Sequence, residues 1–169
     1  SLNNIGRIYS DRADYHNALE YHLKSLQIRE KYEFKRSIAV SLNNIAENYN
    51  QLNDYVSALK YALRSLKLNE EIIDKSGVGN SLKILGEIYQ KQKKYSQALE
   101  YAQKGLSVAK EIRDLDLVKD ANKSLSNIYA QMGNGIKALD HFKQYILIRD
   151  SIYNQENTKK LVRSEMNFE

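Results

Sequence analysis

Apolar residues recur along the chain at helical spacing. Leu42, Ile45, Ala46 and Tyr49 stand at i, i+3, i+4 and i+7, which places them on one face of a helix. A polar break follows at residues 51–54, and a second apolar stripe of the same kind begins at Tyr55. No stretch of any length alternates apolar and polar residues as a strand does. The pattern therefore predicts an all-α chain whose helices come in pairs.

The paired pattern repeats every 40 residues, and four segments align without a gap. A tyrosine marks one position of each segment, at Tyr9, Tyr49, Tyr89 and Tyr129. Small residues mark the predicted crossing of the two helices, at Gly6, Ala46, Gly86 and Ser126. One helical hairpin cannot bury its apolar face alone, so the repeat predicts an α-solenoid of four stacked antiparallel hairpins. Because the tyrosines follow the core periodicity, we expect them in the core and not on a binding platform.

The repeat also divides the chain. Four units are predicted at about residues 1–34, 35–74, 75–114 and 115–152, the first one truncated because the pattern opens in mid-unit. Asp54 and Asn134 are predicted helix N-caps, and Gly77 a left-handed C-cap.

Residues 153–169 are predicted to form one more helix, capped near Asn154, that caps the fourth hairpin or links it to a further domain. It cannot be a fifth repeat, because Glu165 and Glu169 fall where the repeat has apolar side chains. Its apolar stripe, which includes Leu161 and Phe168, is expected to pack over the end of the fourth hairpin.

Composition narrows the classes of function. The chain has 169 residues, of which 42% are hydrophobic and 28% charged, as in a folded domain and not a disordered one. The net charge of +5 comes from acidic and basic residues mixed along the chain, so no basic stripe for nucleic acid is expected. No apolar run approaches the roughly 18 residues of a membrane helix, so no membrane contact is expected of this fragment. Zero cysteines exclude disulfides and leave the compartment undecided.

Catalytic and metal chemistry is not predicted. His16 and His22 are six residues apart, off a common helix face, and no carboxylate pair completes a metal site. His22 stands where other units have Ala62, Ala102 and Phe142, which favours a packing role. No nucleophile has a base at compatible spacing. We therefore expect a protein that is not an enzyme and binds no cofactor.

These residues resemble the tetratricopeptide repeat over about residues 1–152. In the second unit its signature positions are occupied by Leu42, Ile45, Ala46, Tyr49, Tyr55 and Ala58. The period is 40 instead of 34, and the proline that often closes a unit is absent. The long period and the Leu-Asn-Asn opening look most like the subgroup that includes kinesin light chains and Gram-positive peptide-sensing regulators. Residues 149–168 resemble the junction where Bacteroidetes-type repeats precede a histidine kinase, nucleotide cyclase or DNA-binding module.

The resemblance implies that the first helix of each unit lines a concave groove that holds a protein or peptide ligand. The predicted groove face comprises Asn3, Arg7, Asp11, Asn43, Glu47, Asn50, Lys83, Glu87, Gln90, Lys123, Asn127 and Gln131. The ladder of Asn3, Asn43, Lys83 and Lys123 is expected to be exposed. Its amides would bond a peptide backbone, and its lysines would favour an acidic residue or a terminal carboxylate. A merely hydrated helix face is the alternative for this surface.

The chaperone-binding members of the family clamp a carboxylate with Lys and Asn, and Lys123 with Asn127 resembles one piece of that clamp. Glu87 puts a negative charge where the clamp needs Asn, so the clamp is not predicted. The resemblance implies a protein- or peptide-binding module, the sensor or scaffold of a larger bacterial regulatory protein on the cytoplasmic or periplasmic side. The alternative is a structural spacer or a self-association module, including a homodimer.

Overall fold

The computed structural model describes the backbone of residues 1–166 and the side chains of residues 1–160. This part of the chain contains eight helices and no strand, so the predicted all-α fold is confirmed. The helices are α1 Leu2–Asp11, α2 Tyr15–Lys31, α3 Lys35–Gln51, α4 Tyr55–Glu71, α5 Lys75–Lys91, α6 Tyr95–Glu111, α7 Leu115–Gln131 and α8 Gly135–Met166. None of the described helices is long and apolar enough to cross a bilayer.

The helices pair as predicted, and the pairs stack one after another in the order of the sequence. Each helix packs against the next one, and α1, α3, α5 and α7 also contact one another in sequence. Among the described helices, the second helices of neighbouring units do not touch each other. The stack is therefore narrower on the side of the first helices, which makes that side concave.

Every connection between helices has the same three-residue form, at intervals of 20 residues. The middle residue is left-handed each time, with positive φ at Ala13, Glu33, Asn53, Ile73, Lys93, Arg113 and Gly133. The third residue caps the next helix. The predicted caps are confirmed, since Asp54 Oδ1 accepts the Ser57 N–H at 3.1 Å and Asn134 Oδ1 accepts the Lys137 N–H at 3.2 Å.

The prediction of Gly77 as a C-cap is wrong. Helix α4 ends at Glu71, and the left-handed residue after it is Ile73, with φ 56°. Gly77 instead lies in the first turn of α5, where its N–H bonds Asp74 Oδ1 at 3.1 Å. A Cβ at this position would overlap the side chain of Asn69, so the glycine serves the close approach of α4 and α5.

The predicted core positions are confirmed. Ala46, Ala58 and Ala98 are completely buried where the helices cross, and Gly86 packs there against the backbone of α6. The tyrosine of each first helix stacks on an aromatic ring of the second helix 12 residues later. The pairs are Tyr9–Tyr21, Tyr49–Tyr61, Tyr89–Tyr101 and Tyr129–His141, with ring centroids 5.4–5.6 Å apart. The tyrosine ladder is therefore part of the core.

The tail differs from the prediction of a separate helix. Helix α8 runs without a break from Gly135 to Met166, through the predicted cap at Asn154. Thr158 Oγ1 donates to the Asn154 carbonyl at 3.0 Å, a bond between successive turns of one helix. The side chains of residues 153–160 are exposed, so this stretch does not fold back on the fourth hairpin. The predicted stripe at Leu161 and Phe168 lies outside the described side chains.

Candidate functional site

A cleft of about 350 Å³ opens on the concave side between α1, α3 and α5. The 40-residue period places equivalent side chains of neighbouring first helices beside one another. The cleft therefore brings together six of the predicted groove residues: Arg7, Asp11, Glu47, Asn50, Lys83 and Glu87.

The predicted ladder does not form one exposed stripe. Asn3 is only 8% exposed, because its Oδ1 bonds His22 Nδ1 at 3.0 Å and Asn44 Nδ2 at 3.1 Å. Asn43 is half-buried, and its Oδ1 accepts the Ser81 hydroxyl of α5 at 3.0 Å. These amides join neighbouring first helices, so the expectation of exposure is wrong for Asn3 and holds only in part for Asn43.

The two lysines of the ladder differ in their exposure and in their contacts. Lys83 is half-buried, and its Nζ bonds Asp120 Oδ2 on α7 at 3.3 Å. Lys123 is exposed and has its Nζ 5.8 Å from the ring centroid of Tyr145 on α8. Since no first helix follows α7 among the described residues, Lys123 has no equivalent of Asp120 to contact.

Asn50 is 2% exposed, so the expectation that it lies open in the groove is also wrong. Its side-chain Oδ1 is buried and has no hydrogen-bond partner among the described residues. The Nζ of Lys91 bonds the main-chain carbonyl of Asn50 at 3.1 Å and Gln51 Oε1 at 3.0 Å. Buried acceptors nearly always have a hydrogen-bond partner. We therefore expect the Oδ1 of Asn50, in the wall of this cleft, to accept a hydrogen bond from a donor outside the chain.

Two carboxylates occupy equivalent positions on α3 and α5. Neither Glu47 nor Glu87 has a hydrogen bond or an ion pair with any described side chain. Although part of the Glu47 side chain is open to solvent, desolvation by the surrounding wall raises its pKa to about 7; Lys83 opposes this rise and Glu87 adds to it. Desolvation likewise raises the pKa of Glu87, opposed by Lys83. The cleft thus holds two carboxyl groups whose nearest opposing charge, Lys83, forms its ion pair with Asp120 instead.

The remaining predicted residues lie on the same side of the solenoid. Gln90 Nε2 donates to Gln131 Oε1 at 3.0 Å and so joins α5 to α7. Arg7, Asp11 and Asn127 are exposed. Sequence reasoning missed Lys91 and Asp120. Lys91 could have been found, because it stands 40 residues from Gln131 and 80 from Asp11.

His22 has the packing role that the sequence predicts. Its side chain is 1% exposed, and the ring touches Gly6, where the lack of a Cβ leaves room. Burial, together with a smaller effect of the Arg29 charge, lowers the pKa of His22 to about 4. The neutral ring donates from Nδ1 to the amide oxygen of Asn3.

Comparison with known proteins identifies the same repeat. The family model of the tetratricopeptide repeat matches residues 1–71, 37–111 and 77–151. No match to the sequence was found among curated proteins.

Several solved structures share the fold. BtubC (BKLC) from P. vanneervenii is 18% identical with a TM-score of 0.77, covering 90% of this chain and 63% of that one. Aspartyl phosphate phosphatase F from Bacillus subtilis is 16% identical with a TM-score of 0.83, covering 89% and 40%. A Rap protein complexed with competence and sporulation factor is 20% identical with a TM-score of 0.82, covering 87% and 41%. The chain thus spans less than two thirds of each of these proteins.

Proposed function

Because the chain belongs to the tetratricopeptide repeat family, whose fold is a protein-interaction scaffold, we propose that its concave groove binds an extended peptide segment. The observation that carries this proposal is the cleft between α1, α3 and α5, with the unpaired Oδ1 of Asn50 in its wall. A buried acceptor that has no partner within its own chain takes a donor from outside it, from water or from a ligand. The solved Rap protein complexed with competence and sporulation factor has the same fold, which is consistent with a ligand in this groove.

The polar bonds between first helices give the groove a fixed shape. The contacts Asn3–Asn44, Asn43–Ser81 and Lys83–Asp120 each join neighbouring units along its floor. Their role is to hold the curvature, so the side chains between them, above all Glu47 and Glu87, are left to contact a ligand. Such preorganisation reduces the entropic cost of binding.

The module is part of a larger regulatory protein in this proposal. Helices α2, α4 and α6 end at Lys31, Glu71 and Glu111, and the equivalent position in α8 is residue 151. Helix α8 continues to Met166, which extends it by ~22 Å at about 1.5 Å per residue. In this proposal the extension of α8 connects the fourth hairpin to the rest of the regulatory protein. It would transmit a change in the groove only if the ligand bound two positions of the helix with different affinity.

Selection from a phage-displayed library of random dodecapeptides tests the groove. The chain should enrich defined sequences, and synthetic copies of them should bind in fluorescence anisotropy. Gln51→Trp places an indole in the mouth of the cleft and should abolish binding. Lys60→Trp adds the same group on the exposed face of α4 and should leave binding unchanged.

Two results would contradict the proposal. One is a chain that enriches no sequence while sedimentation shows it to self-associate, which would identify a self-association module. The other is binding that survives Gln51→Trp and is lost with Lys60→Trp, which would place the ligand on the convex side.

A further inference from the structure

We propose that the cleft takes a cationic hydrogen-bond donor of its ligand, an ammonium or guanidinium group, on Glu47, Glu87 and Asn50. This inference rests on the proposed function, because the cation is taken to be part of the bound peptide. The peptide's amino terminus and a lysine or arginine side chain are the two sources of such a group.

Three acceptors of the cleft are open to a ligand. The buried Oδ1 of Asn50 has no hydrogen-bond partner among the described residues, and the carboxylates of Glu47 and Glu87 are opposed by the charge of Lys83 without a direct ion pair to it. All three side chains line the same cleft, on the adjacent helices α3 and α5. Packed helices lie roughly 8–10 Å apart, a gap that one extended cationic side chain can bridge. All three groups can therefore accept a hydrogen bond from one positively charged donor of a ligand.

The lysines beside the cleft are already engaged. Lys83 bonds Asp120 at 3.3 Å, and Lys91 bonds the Asn50 carbonyl and Gln51 Oε1. The expectation that the lysine ladder favours a terminal carboxylate is therefore not supported at Lys83. An anion placed there would displace Asp120 and would also meet Glu47 and Glu87 across the cleft.

Charge within the cleft favours a cation as well. Its lining carries Arg7 and Lys83 against Asp11, Glu47 and Glu87, so one negative charge is in excess. Beside the lining, Asp120 of α7 pairs with Lys83 and Lys91 bonds Asn50 and Gln51, so these two neighbours leave the balance unchanged. Arg7 is exposed on α1, and it is the competing cation that could swing onto Glu47 in place of a ligand.

The titration of the carboxyl groups agrees with a site that binds a cation. Desolvation raises the pKa of Glu47 to about 7 and raises that of Glu87. A bound cation stabilises the ionised form, so it should lower the pKa of both groups. The titratable groups that line the cleft with Glu47 are Arg7 and Asp11 on α1, Tyr15 and neutral His22 on α2, and Lys83 and Glu87 on α5.

Small probes test the chemistry directly. The ¹³C shifts of the Glu47 and Glu87 carboxyl carbons are titrated with n-butylammonium and with n-butylguanidinium, and n-butanol serves as the uncharged control. We expect at least one cation to lower the apparent pKa of Glu47, and butanol to have no effect. The double variant Glu47→Gln, Glu87→Gln should lose the binding, and Glu100→Gln, an exposed carboxylate of α6, should keep it. Absence of any cation effect in both wild type and Arg7→Met would overturn the inference.

Peptides distinguish the two sources of the cation. Tetra-alanine with a free amino terminus is compared with N-acetyl-tetra-alanine, and N-acetyl-arginine amide and N-acetyl-lysine amide with N-acetyl-norleucine amide. Loss of binding on acetylation assigns the amino terminus, and preference for the basic amides assigns a side chain.

Failure of this inference is separable from failure of the proposed function. Suppose that the library peptides bind in the groove, that Gln51→Trp blocks them, and that they bind the double glutamine variant as well as the wild type. The proposed function would then be intact, but the cation site would be overturned. If the inference holds, the double variant weakens the selected peptides at least tenfold, and wild-type affinity falls as the pH is lowered from 8 to 6.

Discussion

His141 Nδ1 lies 2.9 Å from Asn122 Oδ1, and this pair replaces two side chains that are conserved through the other three units. Asn122 stands in register with Leu2, Leu42 and Leu82, and His141 with Tyr21, Tyr61 and Tyr101. The ring of His141 still stacks on Tyr129, with planes 9° from parallel. Two departures from the repeat that look independent in the sequence therefore compensate each other.

A double-mutant cycle on this pair should show strong coupling. Asn122→Leu removes the acceptor of His141, and His141→Tyr leaves the buried Asn122 oxygen without its donor, so each should lose about 1 kcal/mol of unfolding free energy. The double variant restores the Leu and Tyr of the other units and should be at least as stable as the wild type. Urea unfolding measures the three variants. Additive losses would mean that the two positions act independently.

The connection between α4 and α5 holds one residue in an unfavourable backbone conformation, and a glycine there would relieve the strain. Ile73 is a β-branched residue at φ 56° and is 81% exposed. A left-handed conformation costs an L-residue about 1–2 kcal/mol, and little packing is lost at this position. Ile73→Gly should therefore raise the unfolding free energy by about 0.5–1 kcal/mol after allowing for the greater freedom of glycine in the unfolded chain.

Gly133→Ala is the matched control for Ile73→Gly. Gly133 has φ 76°, and a Cβ there would meet no atom within 4 Å, so only the backbone is affected. It should lose stability by a similar amount in thermal and urea unfolding. A change of the same sign in both variants would contradict the strain argument.

Local pattern predicted most of the fold. Tyr49, Ala58 and Ala98 could be placed in the core because each repeats at a fixed distance from its helical neighbours. The sequence predicts the left-handed turn residues less well, because only Asn53 and Gly133 among them are of types that favour this conformation. Ile73 carries no such signal. Gly77 was misassigned because the sequence does not indicate that Asn69 fills the space beside it.

The sequence predicts where the candidate site lies, but not which of its side chains are buried and hydrogen-bonded to other helices. The period placed Arg7, Glu47 and Glu87 on one face correctly. The burial of Asn3 and Asn50 depends on contacts with other helices, such as the bonds of Asn3 to His22 and to Asn44, 19 and 41 residues away. No periodicity within one helix carries that information.

Stability should depend on pH through Glu47. Its pKa is about 7 in the folded chain against an ordinary 4.5, so the folded state releases this proton later than the unfolded state does. The unfolding free energy therefore falls as pH rises from 4.5 to 7. Glu47→Gln removes this loss, so it should match the wild type near pH 4 and exceed it at pH 8.

The comparison of Glu47→Gln with the wild type isolates the one carboxyl group. The lowered pKa of His22 reduces stability as pH falls from 6.5 towards 4, but it does so in both proteins and cancels in the difference. Urea unfolding at pH 4, 6 and 8 gives the measurement. A difference between the two proteins that does not change with pH would show that Glu47 titrates normally.

Gly6 and His22 offer a test of how the first unit accommodates a ring where the second and third units have a methyl group. A Cβ on Gly6 would lie 2.8 Å from His22 Cε1. The second unit solves the same contact with Ala46 and Ala62, both completely buried. Gly6→Ala should thus lose about 1–3 kcal/mol from overpacking in the wild type. In the His22→Ala background the pair reproduces that of the second unit, and the added methyl group should cost nothing.

Gly86→Ala is the control for Gly6→Ala. Its Cβ would lie 3.6 Å from the nearest atoms, in ordinary contact, and replacing a glycine inside a helix should gain up to about 1 kcal/mol. If Gly6→Ala costs the same with and without the His22 ring, the ring is not what requires a glycine at position 6.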